Sequence, residues 1–586
     1  MELVFGYLDQ IVIFIIFALS LNLLLGYAGQ ISVAHAAFGA IGGYTLGYLT
    51  LNHHVPTIEC MALGMLFAGV AGLLVGIPAL RLKSEWLILL TLSVQIIILL
   101  LITTSHPLGG SYGIQGITEV SLFGRDLTQP SAMFVPFLVC AAIVYAICWR
   151  MGESPYGRVL RGIREDETAC RSLGKSVFTY KLAVFGISAA MAGLAGSLLV
   201  IESSIASPKQ FTFDQSSAII AMVVVGGSGS LPGSIVGVIA LSLLAPLLEH
   251  VLNFSQNAAF VWRLIAYGAA LVAVVMLKPA GLLPDATTRR LQRSLRNADA
   301  SRTPALPMSA PADRTSVDAF ASAQAIAVAP KPLRGDVVLA VDGLTKRFGG
   351  ITAAEDLTME LRSHSITALV GPNGAGKTTV FNLLTGAIKP DAGTVTLHGR
   401  NITGLTPDEV ARRGMARSFQ NVRIFPRLSA LENVMLGIQK QPGEHLGPLF
   451  LQIPAVGAAE RATRDKAREW LSFVGMEAQA DVPAGALAFG QQKLVALARV
   501  LATEADVVLL DEPASGIDLA WVDAMLHLIE SVRAQGRTVC IVEHNLHVVE
   551  RLADYTYFME LGRITAQGNF AELISDRRLA EAYFGT

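Results

Sequence analysis

The stretch ITALVGPNGAGKTT, residues 366–379, places an apolar run directly before a glycine-rich loop. The run Ile366–Val370 is typical of a buried strand, and the residues after the loop are typical of a helix. Within the loop, the spacing GxxxxGKT lets backbone N–H groups surround phosphates at the start of a helix, where negative charge is favoured. We therefore predict an α/β domain with a nucleotide-binding P-loop.

Two side chains of this loop have specific expected roles. Lys377 would reach the β- and γ-phosphates of ATP, and Thr378 would bind Mg²⁺. The predicted nucleotide-binding residues of the loop are Gly371, Pro372, Asn373, Gly374, Ala375, Gly376, Lys377, Thr378 and Thr379.

A second apolar strand, VVLLDEP at residues 507–513, ends in two carboxylates. We expect Asp511 to hold Mg²⁺ through its water shell and Glu512 to polarise the attacking water. His544 follows the apolar strand Thr538–Val542 and could contact the γ-phosphate. Taken alone, such a histidine is more often an ordinary residue at a strand end.

The charges divide the 586-residue chain into two halves. Residues 1–277 contain 12 Lys/Arg and 13 Asp/Glu, whereas residues 278–586 contain 33 of each sign. We predict an all-α membrane domain over 1–277, a flexible linker rich in Ala, Pro, Ser and Arg over 278–335, and an α/β domain over 336–586. The net charge of −1 argues against nucleic-acid binding, and five scattered cysteines argue against a redox or zinc site.

The first half contains eight apolar runs of membrane-spanning length and one shorter run, Ser217–Val225. The first run should remain in the membrane because no cleavable leader is recognisable. Seven Lys/Arg within 150–181 place that loop in the cytoplasm, and the parity of about eight or nine crossings then places the N-terminus outside. The eight longer runs are Leu3–Leu25, Val33–Leu51, Cys60–Ala79, Trp86–Ile102, Ala132–Cys148, Tyr180–Val200, Gly233–Leu248 and Phe260–Leu277.

One membrane stretch, GYAGQISVAHAAFGAIGGY at residues 26–44, is built mainly of small residues. Eleven of its nineteen residues are Gly, Ala or Ser. Small residues let helices approach closely, so tight packing is the favoured interpretation. The alternative is that part of the stretch lines a translocation path, since polar groups in a membrane face protein or a cavity.

Further motifs of the second half resemble those of ABC transporter ATPases. The resemblance rests on TKRFGG, RSFQN, LAFGQQK and SGID, which follow one another in family order over residues 340–560. It implies that Phe348 stacks on adenine, that Gln420 is the Q-loop glutamine and contacts Mg²⁺, and that Asp518 belongs to the D-loop. The implied catalytic residues are Glu512, His544, Gln420 and Lys377.

LAFGQ occupies the place of the family's signature motif, which meets the nucleotide of a partner ATPase domain. Ala488 and Phe489 depart from the usual Ser and Gly, so one hydroxyl that could bind phosphate is missing. The signature residues are Leu487, Ala488, Phe489, Gly490 and Gln491.

The first half resembles the second permease of branched-chain amino acid (Liv-type) importers. The matching motifs are GYAGQISVAHAAFGAIGGYT, GGSYGIQGI (109–117), SPYGRVLRGIREDETACRSLGKS (154–176) and VVVGGSGSLPGS (223–234). In the second half, GMARSFQNVRIFPRLSALENV (414–434) resembles the first ATPase subunit of the same systems. The resemblance implies a permease fused to an ATPase with a helical subdomain, importing branched-chain or hydrophobic amino acids.

The sequence is compatible with two alternatives, one for the substrate and one for the class of transporter. Related permeases also serve urea and short amides. A half-size ABC exporter has the same domain order, but the cytoplasmic loops 26–32 and 80–85 are too short for an exporter's long helices.

The loop 154–176 is expected to contain a coupling helix that docks near Gln420. Ser154 and Pro155 are good helix-starting residues, and Gly174 can end the helix. A solvated basic loop is the alternative. The residues predicted to form the coupling surface are Arg161, Arg164, Glu165 and Asp166.

The resemblance also implies partners, which are a periplasmic substrate-binding protein, a second permease and a second ATPase domain. A heteromeric complex is favoured over self-pairing of two fused chains. We expect a multi-pass protein among the lipids of a bacterial inner membrane, with its ATPase domain in the cytoplasm and no nucleic-acid partner.

Overall fold

The computed structural model describes residues 2–82, 84–117, 121–122, 125–126, 130–244, 256–300, 335–516, 519–570 and 573. The chain forms two compact units. We call Met1–Glu165 with Val177–Arg289 the helical unit, and Asp166–Ser176 with Arg290–Thr586 the α/β unit. The chain thus leaves the helical unit after Glu165 and returns to it at Val177.

Every apolar run predicted in the first half lies wholly or partly in a helix, and α1 continues into a π-helical turn, Leu23–Tyr27. Two two-stranded pairs join Ile114–Gln115 (β1) to Ile205–Ala206 (β4) and Ser121–Leu122 (β2) to Arg125–Asp126 (β3). The helices are α1 (Glu2–Asn22), α2 (His35–His53), α3 (Thr57–Ala79), α4 (Ser84–Thr104), α5 (Pro130–Gly152), α6 (Pro155–Glu165), α8 (Val177–Ser203), α9 (Phe213–Gly226), α10 (Leu231–Ser242) and α11 (Gln256–Leu277).

Five helical segments of the described chain are long and apolar enough to cross a membrane. This finding agrees with a multi-pass membrane domain, while the total number of crossings and the side of the N-terminus stay predictions. The five segments are Val4–Tyr27, Thr57–Ala79, Glu85–Thr104, Ser131–Gly152 and Val177–Ser203.

Glycines allow α2, α3 and α8 to pack backbone against backbone. A Cβ atom on Gly42 would lie 2.0 Å from the Gly193 carbonyl oxygen, and one on Gly196 would lie 1.9 Å from the Gly39 oxygen. A Cβ on Gly64 of α3 would lie 3.0 Å from the Gly42 oxygen. These distances support the tight-packing interpretation of the stretch 26–44. We name the contact of Gly39, Gly42 and Gly64 with Gly193 and Gly196 the glycine contact.

The first part of the predicted linker contains a helix, α12 (Ala286–Ala300), which the sequence analysis did not predict. Its start is capped by Asp285, whose carboxylate accepts hydrogen bonds from the Thr287 hydroxyl and the Thr288 backbone N–H. The Ala, Ser and Arg content that indicated a flexible linker is equally compatible with a polar helix. Residues 301–334 of the predicted linker lie outside the described part.

Two sheets organise the α/β unit. The larger has the order β10-β11-β12-β7-β13-β14, with only β14 antiparallel to its neighbour; the smaller is antiparallel, with the order β6-β5-β8-β9. The strands are β5 (Val337–Phe348), β6 (Ile351–Arg362), β7 (Ile366–Val370), β8 (Ala392–Leu397), β9 (Arg400–Asn401), β10 (Met415–Arg417), β11 (Val507–Asp511), β12 (Thr538–Val542), β13 (Tyr555–Glu560) and β14 (Arg563–Gly568).

The helix α18 begins at Phe489, within the predicted signature motif. The helices of the α/β unit are α7 (Glu167–Ser172), α13 (Lys377–Leu384), α14 (Pro407–Arg412), α15 (Ala430–Gly437), α16 (Leu446–Leu451), α17 (Ile453–Phe473), α18 (Phe489–Leu501), α19 (Leu519–Ala534) and α20 (Leu546–Leu552).

Strand β7 is buried along its whole length and lies between β12 and β13, as its apolar sequence predicts. Its alternate side chains enter two cores, with Ile366 and Val370 in one and Leu369 in the other. Because β7, β11 and β12 are parallel neighbours, their carboxyl ends meet at one edge, which is where the P-loop and the predicted catalytic residues begin.

Candidate functional site

The P-loop connects β7 to α13 with the backbone shape that phosphate binding needs. Gly371, Gly374 and Gly376 all have positive φ angles, of 152°, 82° and 106°. A Cβ atom on Gly371 would lie 2.0 Å from the Met559 carbonyl oxygen, whereas Gly374 faces open space. The loop is therefore braced on one side and open on the other, which fits a bound phosphate chain.

Lys377 lies at the start of α13 and folds back over the loop. Its Nζ donates hydrogen bonds to the carbonyl oxygens of Gly371 (2.7 Å) and Pro372 (2.8 Å). Burial lowers the pKa of this ammonium group, against the opposing effect of Glu512 and Asp511. A phosphate that replaced the two carbonyl oxygens would give Lys377 a full negative charge as its partner.

Asp511, at the end of β11, fits a magnesium ligand. One carboxylate oxygen accepts a hydrogen bond from Arg417 at 2.8 Å, while the other, Oδ1, is buried and has no hydrogen-bond partner within the described residues. Burial raises the pKa of this carboxyl group despite the neighbouring Arg417. A cation at Oδ1, completed by oxygen ligands such as the Thr378 hydroxyl, would satisfy this atom and favour the carboxylate.

The structure places Glu512 and His544 in direct contact. His544 Nε2 lies 2.8 Å from Glu512 Oε1, and the Glu512 side chain is 11% exposed. Glu512 also has a φ of 47°, a backbone conformation that non-glycine residues rarely adopt. The histidine therefore orients the carboxylate that is predicted to polarise water, at a position the backbone holds in an unusual conformation.

Comparison with known proteins identifies the family of each half. Residues 3–277 match the family model described as branched-chain amino acid transport system / permease component, and residues 354–515 match the ABC transporter model. The ATP-binding protein LivG of Salmonella typhimurium is 37% identical over 249 residues, which are 42% of this chain and 98% of that protein. BraF of Pseudomonas aeruginosa is 36% identical over 253 residues, 42% of this chain and 98% of BraF.

The permease half has relatives of its own. The permease LivM of Escherichia coli K12 is 31% identical over 312 residues, covering 49% of this chain and 71% of LivM. The chain belongs to the branched-chain amino acid ABC transporter family. It joins a LivM-like permease to a LivG-like ATPase in one polypeptide, so ATP hydrolysis in the α/β unit is coupled to transport.

Residues of three further ABC motifs lie within the described part of the chain. Phe348 at the end of β5 is 45% exposed, and Gln420 is exposed shortly after β10. Ala488 is the N-cap of α18, and Phe489 begins the helix with half of its side chain exposed. Asp518 of the predicted D-loop lies outside the described residues.

Lys493 is a charged residue whose role the sequence analysis missed. Its Nζ donates to the carbonyl oxygens of Glu512, Pro513 and Ser515, and burial lowers the pKa of its ammonium group. Lys493 therefore connects helix α18 to the backbone from Glu512 to Ser515. The only sequence signal was a lysine two residues after the signature glutamine.

Arg417 is the second missed residue. Besides its bond to Asp511, it donates to Asn382 at 2.5 Å and lies 5.5 Å from the ring centre of Phe381. It positions the Asp511 carboxylate from a neighbouring strand, β10. A single arginine in an apolar strand gave the only hint, because its partners are distant in sequence.

The predicted coupling loop divides between the two units. Two helices, α6 and α7, replace the single helix that the sequence suggested, because Asp166 adopts an extended conformation and its side chain caps α7 by accepting from the Ala169 N–H. Arg161, Arg164 and Glu165 lie in the helical unit, whereas Asp166 lies in the α/β unit. Of the four predicted coupling residues, the structure therefore groups only Asp166 with the ATPase fold.

The segment Asp166–Ser176, which we name the docking segment, is held by polar contacts within the α/β unit. Lys175 Nζ bonds both carboxylate oxygens of Glu444, at 2.6 and 2.8 Å, and both side chains are buried. Asp166 pairs with Arg423 at 2.9 Å, three residues after Gln420. The Leu173 carbonyl oxygen accepts a hydrogen bond from Gln439. Lys175 and Glu444 were not singled out from the sequence, since nothing local marks them as partners.

Proposed function

We propose that this chain is the fused permease–ATPase subunit of a binding-protein-dependent importer of branched-chain or other hydrophobic amino acids. One observation carries the proposal, namely that both halves are similar to subunits named for the same transport system. Urea or short amides are the alternative substrates. A half-size exporter is disfavoured, because the permease relatives are named for branched-chain amino acid transport.

In this proposal each polar residue of the nucleotide site has one task. Lys377 and the P-loop N–H groups bind the phosphates of ATP, and Asp511 and Thr378 hold Mg²⁺, which supplies charge neutralisation when bound. Glu512 accepts a proton from the attacking water, and His544 keeps the Glu512 carboxylate oriented. Gln420 contributes to the metal site and lies three residues before Arg423, which pairs with Asp166 of the docking segment.

We propose that the docking segment couples the ATPase to transport. The Asp166–Arg423 pair supports this role, because Arg423 follows the Q-loop residue Gln420 by three positions. The predicted partners are a second permease, a second ATPase domain and a periplasmic binding protein, in a heteromeric complex at the bacterial inner membrane with the α/β unit in the cytoplasm.

The function is tested by uptake into vesicles that contain the complete complex, with labelled leucine and labelled urea offered in parallel with the binding protein. We expect ATP-dependent uptake of leucine that a Lys377→Ala variant abolishes. Urea uptake without leucine uptake would overturn the substrate assignment. Export of leucine from the same vesicles would overturn the direction.

The coupling role is tested separately by a cysteine pair at positions 166 and 423. The five native cysteines are buried, so a short crosslinker reports on the introduced pair. We expect the crosslinking yield to change when ATP binds. A yield that is identical with and without nucleotide would contradict the coupling role.

A further inference from the structure

A π-helical turn interrupts the end of α1, at the start of the small-residue stretch. Residues Leu23–Tyr27 form this turn, and Gln30 N–H reaches back to the Leu24 carbonyl oxygen at 3.0 Å. Such turns shift which backbone donor faces which acceptor, and they are frequent at functional sites. The turn is therefore a point at which a side chain from another element can bind the α1 backbone.

Asn22, the residue before the π-turn, holds the break between α9 and α10. Its Oδ1 accepts a hydrogen bond from Gly229 N–H at 2.7 Å, and its Nδ2 donates to the Ser230 carbonyl oxygen at 3.1 Å. Asn22 is fully buried, and Ser230 also caps α10 through the Gly233 N–H. One amide side chain thus connects the end of α1 to both the loop and the start of α10.

Two arginines of α6 also contact the π-turn, and one of them, Arg164, lies close to Gly229, where an added Cβ atom would be 3.0 Å from its Nη1. Arg164 donates a hydrogen bond to the Gly26 carbonyl oxygen, and the Arg161 guanidinium lies 6.0 Å from the ring centre of Tyr27. The arginines are three residues apart and therefore share one face of the helix. Both arginines lie in the helical unit, and both contact the π-turn that follows α1.

The glycines of GYAGQ make these contacts close. A Cβ atom on Gly26 would lie 1.9 Å from Asn22 Oδ1 and 2.3 Å from Gly229 N. A Cβ on Gly29, whose φ is 69°, would lie 3.0 Å from Arg164 Cγ. With no side chain between them, the π-turn, the Asn22 amide and the Gly227–Ser230 loop are in direct contact and must move together.

We propose that Arg164 and Asn22 are positioning residues that link the end of α6, through the π-turn, to the break between α9 and α10. Arg164 lies two residues before the docking segment begins, so a displacement of that segment pulls on the Gly26 carbonyl. Asn22 then passes the displacement to Gly229 and Ser230. The inference rests on the proposed function, because it assigns the residues through which ATP-driven movement reaches the permease.

The test uses a reporter that does not depend on the transported substrate. Ser228→Cys introduces a partly exposed thiol in the loop, and the native cysteines are buried. In the full complex, the rate of maleimide labelling is measured with and without a non-hydrolysable ATP analogue. We expect nucleotide to change that rate by about tenfold, and Arg164→Gln or Asn22→Leu to abolish the change.

Three controls separate a linking role from a general loss of structure. Basal ATP hydrolysis should stay near its wild-type rate in both variants, because neither residue lies in the α/β unit. Arg164→Lys, which keeps a charged donor, should restore part of the nucleotide response. Gly6→Ala, on the same helix α1 and with nothing within 4 Å of the added atom, should change neither quantity.

A nucleotide response that persists in both variants would overturn the proposed link, as would a wild-type loop whose labelling ignores nucleotide. Loss of leucine uptake with an intact labelling response would instead count against the substrate assignment. The two proposals can therefore fail independently.

Discussion

The nucleotide site and the glycine contact are both closely packed, but their sequences are constrained in opposite ways. At the nucleotide site, the Glu512 and Asp511 carboxylates each have a ring-nitrogen or charged partner at 2.8 Å. At the glycine contact, carbonyl oxygens of Gly39 and Gly193 occupy the space of missing side chains. The nucleotide site depends on the chemical groups of particular side chains, whereas the glycine contact depends on the absence of side chains.

The largest effect is expected at Glu512. Glu512→Gln keeps the side-chain shape but removes the proton acceptor, so hydrolysis should fall by about 10²- to 10⁴-fold. Phosphate release is measured in the assembled complex, with the partner ATPase inactivated at its own P-loop lysine. The exposed Glu550→Gln serves as the control and should keep its rate. Wild-type turnover in the Glu512→Gln complex would refute the assignment of the catalytic base.

The Lys175–Glu444 pair tests whether a specific charge is also required at a buried position away from the nucleotide site. Lys175→Ala leaves the Glu444 carboxylate buried without its partner, which should cost about 3–5 kcal/mol of folding free energy in the α/β unit. Thermal unfolding of the complex measures the loss. Exchanging the two charges should recover part of it, and the exposed Lys389→Ala should be neutral. A loss equal to that of Lys389→Ala would show that the pair contributes nothing.

At the glycine contact, Gly42→Ala should destabilise the helical unit by about 1–3 kcal/mol, because the new methyl group would overlap the Gly193 carbonyl. Gly268→Ala in α11 is the matched control, since nothing lies within 4 Å of its added atom. There the better helix propensity of alanine should stabilise by about 0.5–1 kcal/mol. The unfolding temperature should therefore fall for Gly42→Ala and rise for Gly268→Ala. Equal changes in the two variants would contradict the view that Gly42 is needed for the close approach of the helices.

The same contrast explains what the sequence could predict. The strand Ile366–Val370 and the loop after it were recognisable because their chemistry lies within one continuous stretch. The helices of the membrane half were equally recognisable from apolar runs, although their small residues could not say which neighbours they meet.

Interactions between distant residues were not predictable in this way. Arg417 meets Asp511 across two strands, and Lys175 meets Glu444 269 residues along the chain. The contacts of Arg161 and Arg164 with the π-turn were not predictable either, because a basic helix has the same sequence whichever neighbour it contacts. Helix α12 was missed because its polar composition also suits a linker.

The smallest effect on stability is expected for Arg171, on the surface of the docking segment. Its charge is expected to be dispensable, whereas that of the buried Lys175 is expected to be required. Arg171 and Glu167 form an i, i+4 pair at 3.6 Å, and their side chains are 48% and 40% exposed. Solvent screens such pairs, so Arg171→Gln should change the free energy of unfolding by less than about 0.5 kcal/mol. Thermal unfolding is measured for Arg171→Gln and compared with that of Lys175→Ala, whose position is four residues away. If the two variants lost equal stability, burial could not be what makes the Lys175 charge important, and the docking segment would depend on its net charge alone.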